Sequence, residues 1–176
     1  KPFPFMAYIN IEIKARTESA DRIRQVLLSE NAEVRGIDLQ TDTYFNVPVG
    51  RLKLREGNIK NNLIFYIRKD QEGPKQSDFT LSPVKDPATL KEILKQSLGI
   101  KVVVKKKREI YFIRNVKFHL DRVEELGEFV EIEAGNLTAD LSVEDLREQC
   151  NHYVNIFGIQ PGDMINNSYS DMLLGN

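Results

Sequence analysis

The chain has a single cysteine, Cys150, in 176 residues. That excludes an internal disulfide and a cysteine-rich zinc site, and it suits a reducing, cytoplasmic setting. There is no apolar run long enough to span a bilayer and no secretory h-region, so no membrane contact is expected. Charge of one sign is not in surplus: 25 Lys and Arg stand against 26 Asp and Glu. A general nucleic-acid binder carries a positive excess, so no DNA partner is expected. No GxxxxGK or GxGxxG loop occurs, so a bound phosphate would be held by side chains rather than by a glycine-rich cradle. Repeats, low-complexity stretches and internal linkers are absent too, which makes residues 1–176 a single domain. The opening KPFPFM reads as detached from it, with Met6 a candidate native start.

What is present is alternation. In "INIEIKAR" the odd positions Ile9, Ile11, Ile13 and Ala15 are apolar, and the even positions Asn10, Glu12, Lys14 and Arg16 are polar. This is the period of a strand with one apolar and one charged face. Similar strands are expected at "DTYFNV", "GRLKLREG", "NNLIFYIRKD", "DFTLSPV", "IKVVVKKKREIYFIR", "VKFHLDRV" and "GEFVEIEAG", giving about eight, mostly antiparallel neighbours. Helices are expected at "ADRIRQVLLSE" after candidate caps Thr17 to Ser19, at "DPATLKEILKQSLG" with Pro87 in its first turn and Gly99 at its stop, and at "SVEDLREQCNHYVNIFG" capped by Ser142. "QEGPKQS" reads as a loop, and "SYSDMLL" as a short element that closes one end. Eight strands can close into a narrow barrel, and amphipathic helices would cover its apolar outside. The expected fold is α+β, an eight-stranded antiparallel barrel whose charged faces point inward.

Those faces are unevenly charged. Lys14 and Arg16 share one strand face, as do Arg51, Lys53 and Arg55; Arg68 goes with Tyr66, and Lys106, Arg108 and Arg114 share one phase while Lys105 and Lys107 take the other. Lys117, His119 and Asp121 align on one strand, Glu131 and Glu133 on the next. Like charges facing one another across a sheet destabilise it, so several basic strands suggest a bound anion. Lys and Arg match phosphate oxygens, and carboxylates are hard ligands suited to Mg²⁺ or Mn²⁺. A site for metal-bound polyphosphate and an ordinary solvated sheet face both remain open on this pattern. His119 reads as a hydrogen-bonded barrel histidine or a proton donor, His152 as structural, and Cys150 as a small core residue.

The ordered set "NIEIKAR", "DTYF", "RLKLR", "YIRKD", "KKKREIYF", "HLDRVEELGEFVEIE" and "SYSDMLL" resembles the CYTH family, which groups class IV adenylyl cyclases with thiamine triphosphatases among the triphosphate tunnel metalloenzymes. The resemblance implies a triphosphate tunnel. It implies Glu12, Glu131 and Glu133 as metal ligands for Mg²⁺ or Mn²⁺ and as catalytic residues, with Asp121 assisting. It implies Lys14, Arg51, Lys53, Arg55, Arg68, Lys106 and Arg108 as phosphate binders. Asn10, Arg16, Tyr44, Tyr66, Arg114, Lys117 and His119 are further candidates for the tunnel lining. The first Glu of the family's E-x-E-x-K strand is Asn10 here, which brings an oxygen but no charge. The expected activity is hydrolysis of ATP, thiamine triphosphate or inorganic triphosphate by a monomer or homodimer. The alternatives are a cyclase making cyclic AMP and pyrophosphate from ATP, and a polyphosphate-binding module without turnover.

Overall fold

The computed structural model describes residues 9–67, 78–138 and 140–175. The opening segment, Arg68 and the expected loop "QEGPKQS" lie outside the described residues. The elements run β1 (Asn10–Arg16), α1 (Ala20–Ser29), β2 (Glu33–Phe45), β3 (Arg51–Glu56), β4 (Asn62–Ile67), β5 (Asp78–Pro83), α2 (Pro87–Leu98), β6 (Ile100–Ile113), β7 (Val116–Val123), β8 (Gly127–Gly135), α3 (Val143–Phe157) and α4 (Tyr169–Leu173). The strands form one eight-stranded sheet in the order β1-β8-β7-β6-β2-β3-β4-β5, and every neighbouring pair is antiparallel. This is the expected tunnel architecture. Its hydrogen-bonded ladder is open, since no ladder joins β1 to β5 among the described residues.

Alternation decides which face does what. Ile11 and Ala15 of β1, Phe118 and Leu120 of β7, and Val130, Ile132 and Ala134 of β8 form the outer apolar face. Ile23 and Leu27 of α1 and Leu146, Cys150 and Phe157 of α3 pack on it. Phe118 anchors the contact, with its ring 4.6 Å from Tyr153 and 5.7 Å from Phe157, centroid to centroid. Each fully buried side chain of this kind contributes about 1.5–3 kcal/mol. The Cys150 thiol lies in this core, 3.6 Å from the Ile11 carbonyl, and burial pushes its pKa up to about 11. His152 is exposed on α3, its ring against Tyr153.

The helix ends follow their local chemistry, with one exception. Ser142 and Asp145 form a capping box at the start of α3, and Asp86 caps α2 ahead of Pro87. Ser19 sits at the α1 cap position without a side-chain cap bond; its N–H instead donates to Thr17 Oγ1 at 3.0 Å. The segment "SYSDMLL" forms α4, with a capping box between Ser168 and Asp171.

β2 differs most from expectation. It starts at Glu33, nine residues before the expected Asp42, and pairs with β6 along most of its length. Its alternation is inverted: Ile37 and Leu39 are 47% and 61% exposed, whereas Asp38, Gln40 and Asp42 are buried. Gly36, at φ 117°, sits at a bulge in this pair. The buried polar residues after this glycine line the inner face of the sheet. No helix of the described residues is long and apolar enough to cross a membrane.

Candidate active site

The inner face carries two charge clusters. In the first, Asp42 of β2 is 1% exposed and collects three bases. Arg55 of β3 donates to it from Nε and Nη2, both at 2.7 Å. Lys53 Nζ lies at 2.9 Å and Lys106 Nζ of β6 at 3.5 Å. Register explains the convergence, because Asp42 faces Arg55 directly and Gln40, two residues earlier, faces Lys106. One carboxylate among three bases leaves surplus positive charge. Lys53 and Tyr44 are also close, with Nζ 5.4 Å from the Tyr44 ring and 5.8 Å from the Tyr66 ring.

Electrostatics in this cluster pull in opposite directions. Burial would raise the Asp42 pKa, but Lys53, Lys106 and Arg55 together hold it well below the usual carboxylate range. Burial depresses the Lys106 ammonium to about 7, against the pull of Asp42 and assisted by Arg108, Arg55 and Lys53. A polyanion bound here would favour the charged lysine. Triphosphate binding is therefore expected to take up protons at pH 8, where the ligand-free Lys106 is mostly neutral. Calorimetry in two buffers of different ionisation enthalpy measures this. Zero proton uptake at pH 8 would remove Lys106 from the phosphate site.

In the second cluster, Arg108 of β6 is 8% exposed and clamps two carboxylates. Its Nε and Nη2 reach Asp121 Oδ1 and Oδ2 at 2.7 and 2.6 Å, and Nη2 reaches Glu131 Oε2 at 3.2 Å. Glu131 also meets Lys14 Nζ at 3.3 Å and His119 Nδ1 at 3.0 Å. Burial lowers the His119 pKa and Arg108 lowers it further, against the opposing pull of Glu131, to which its Nδ1 is hydrogen-bonded. Tyr169 of α4 closes the cluster: its hydroxyl donates to Asp121 Oδ2 at 2.7 Å, and Lys14 Nζ lies 4.1 Å from the centre of its ring.

The remaining candidates are dispersed. Arg51 is bound to α4, with Nη2 2.9 Å from Asp171 Oδ1 and Nη1 2.8 Å from Ser168 Oγ. Arg16 is exposed at the same end, with Nη1 donating to the Leu126 carbonyl. Lys117 pairs with Glu133 at 3.6 Å. Lys105 and Lys107 are exposed, in line with the phase expected for them. Arg114 does not continue the Lys106–Arg108 phase into the tunnel. β6 ends at Ile113, and Arg114 turns at φ 53° onto a separate surface cavity of about 590 Å³ shared with Glu30 and Tyr153.

Two further carboxylates of the candidate set lie on β1 and β8. Glu12 faces Glu133 directly in register, and Asn10 lies two residues away on the same face. The Asn10 Oδ1 atom is buried without a hydrogen-bond partner among the described residues. No three carboxylate or imidazole groups converge on a point among the described residues. Two facing carboxylates and a vacant amide oxygen suit a Mg²⁺-type ion that takes its other ligands from substrate and water, rather than an all-protein cage.

Sequence reading missed Asp42, Asp38, Gln40 and Tyr169 as lining residues. The signal was present in the polar alternation Asp38, Gln40, Asp42, Tyr44.

The CYTH domain matches residues 8–169, and the chain belongs to the CYTH family. Among solved structures, the PH1012 protein from Pyrococcus horikoshii superposes with a TM-score of 0.77 at 27% identity, covering 92% of this chain and 98% of that one. A conserved hypothetical protein from Pyrococcus furiosus gives 0.78 at 25% identity, with the same coverages. The fold is shared at 18% identity with HpAC1 from Hippeastrum, a proposed adenylyl cyclase with a dominant triphosphatase activity (TM-score 0.69, 96% of each chain). No curated protein matches at a significant level.

Proposed function

We propose that this protein is a divalent-cation-dependent triphosphatase acting on a compact triphosphate. The observation that carries the reading is the set of three bases, Lys53, Arg55 and Lys106, gathered on the single buried carboxylate of Asp42. Charge-assisted hydrogen bonds from such a set bind and orient a chain of phosphates and stabilise charge that develops on it. Lys14 and Arg108 extend the set toward β1. Mg²⁺ or Mn²⁺, when bound, would neutralise phosphate oxygens, and Glu12, Glu133 and Asn10 would hold it. Glu131 is already engaged by Lys14, Arg108 and His119, so its part is to position those bases. The buried Cys150 thiol suits a reducing, cytoplasmic setting.

The small space at the α4 end agrees with a compact triphosphate as substrate. The cavity lined there by Tyr44, Gly50, Arg51, Lys101 and Ser170 measures about 90 Å³. Ligand pockets commonly measure about 300–1,000 Å³, so this one gives a nucleoside little room.

A product assay with ATP, inorganic triphosphate and thiamine triphosphate, each with Mg²⁺ and with Mn²⁺, tests the reading. Orthophosphate is the expected product. Cyclic AMP and pyrophosphate from ATP would assign a cyclase, and tight binding without product would assign a binding module.

A further inference from the structure

Gln40 stands outside the ion pairs of both clusters. It is 6% exposed on the inner face of β2, opposite Lys106 of β6. Its Nε2 donates to Asp38 Oδ2 at 2.7 Å, which fixes the amide orientation. Asp38 is fixed in turn, its Oδ1 accepting the Asn58 and Ile59 N–H groups of the β3–β4 turn at 3.0 and 3.3 Å. The Gln40 Oε1 atom is then left buried with no hydrogen-bond partner among the described residues. The ammonium opposite does not fill it; Lys106 Nζ is directed at Asp42 instead.

A buried acceptor held vacant by a rigid support is matched by a donor that the ligand brings. Ionised phosphate oxygens are acceptors only, so the triphosphate itself cannot supply that donor. The attacking water can.

We infer that Gln40 is a catalytic residue whose Oε1 accepts a hydrogen bond from the water that attacks the terminal phosphorus, with Asp38 as its positioning residue. This rests on the triphosphatase reading. The water oxygen forms a bond to the terminal phosphorus as the bond from that phosphorus to the bridging oxygen breaks. Diphosphate leaves with the bridging oxygen and its electron pair. One water proton remains on the new orthophosphate, and the other passes to solvent. Gln40 neither gains nor loses a proton; it fixes the direction of attack.

The test compares wild type with Gln40→Met, which keeps the side-chain length and removes the carbonyl. Orthophosphate release from inorganic triphosphate and Mg²⁺ gives kcat and KM, and calorimetry gives the Kd of triphosphate and of Mg²⁺. The expected result is a fall in kcat of about 100-fold with both Kd values within about threefold, since misdirected attack at unchanged binding costs on that order. A kcat within about threefold of wild type would overturn the inference. So would a loss of kcat that saturating Mg²⁺ restores, because the acceptor would then serve the cation's water shell. If Gln40→Met does not fold, Gln40→Asn withdraws the carbonyl by one methylene, and the same outcomes apply. Wild-type turnover reports separately on the triphosphatase reading: without it the reading fails, and this inference falls with it.

Discussion

Asp42→Asn is expected to cost about 3 kcal/mol of stability in the absence of ligand, and triphosphate is expected to restore most of it. Breaking a buried ion pair from one side costs about 3–5 kcal/mol, because the partner charges stay buried without compensation. Here the stranded groups are Lys53, Arg55 and Lys106, which would repel one another around a neutral amide. Asparagine keeps the shape and one oxygen acceptor, which places the loss at the lower end. In the wild type, the depressed Asp42 pKa contributes stability that is present above the ordinary carboxylate value of 3.8 and lost as pH falls below it. A polyphosphate in the tunnel would supply the missing negative charge. It should therefore raise the melting temperature of Asp42→Asn more than that of the wild type. Thermal melts of both proteins with and without inorganic triphosphate and Mg²⁺ check this. Equal shifts would mean that Asp42 and phosphate do not share the same bases.

Arg108→Met is expected to lower stability by about 3–5 kcal/mol at pH 8 and to invert the pH dependence. Arg108 is the cation that Asp121 and Glu131 share. For both carboxyls burial is the largest influence and raises the pKa, while Arg108 leads the influences that bring it below the ordinary value. With Arg108 present, these carboxylates contribute stability above the ordinary carboxylate range, lost only as pH falls through it. With methionine there, burial prevails and the folded-state pKa values rise above their unfolded values. The variant then carries a penalty at pH 8 that protonation relieves, so its stability should increase from pH 8 to pH 5. Urea melts at the two pH values measure it. A variant equally stable at both would show that Lys14 and His119 alone keep Glu131 ionised.

The parts of the fold that were legible in the sequence are those where one strand face is buried against helices. β1, β7 and β8 alternate cleanly because α1 and α3 cover one side and charged groups occupy the other. The helix stops at Gly99 and the cap at Ser142 were legible because backbone geometry demands those residues. β2 was legible only in its second half. Its outward Ile37 and Leu39 are uncovered and its inward Asp38 and Gln40 are buried, so apolar side chains do not mark the buried face there. The candidate site divides in the same way. Counting basic strands located Lys53, Arg55, Lys106 and Arg108. The same count attributed the relief of their repulsion to a bound anion; Asp42 and Asp121 provide part of it from within the chain, and three bases still share the single Asp42 carboxylate. Arg114 shows where phase counting stops: parity is meaningful only while the strand lasts, and β6 ends one residue earlier.

The single thiol of Cys150 has a practical consequence. Its sulfur is fully buried between α3 and β1, and its proton is held more tightly than in a free thiol. A thiol-directed dye therefore reacts only when α3 lifts from β1 and β8, the strand pair that carries Asn10, Glu12, Lys14 and Glu133. With no second cysteine to confuse the signal, labelling rate becomes a clock for the opening of that one seam. It can be timed on the unmodified chain with and without triphosphate.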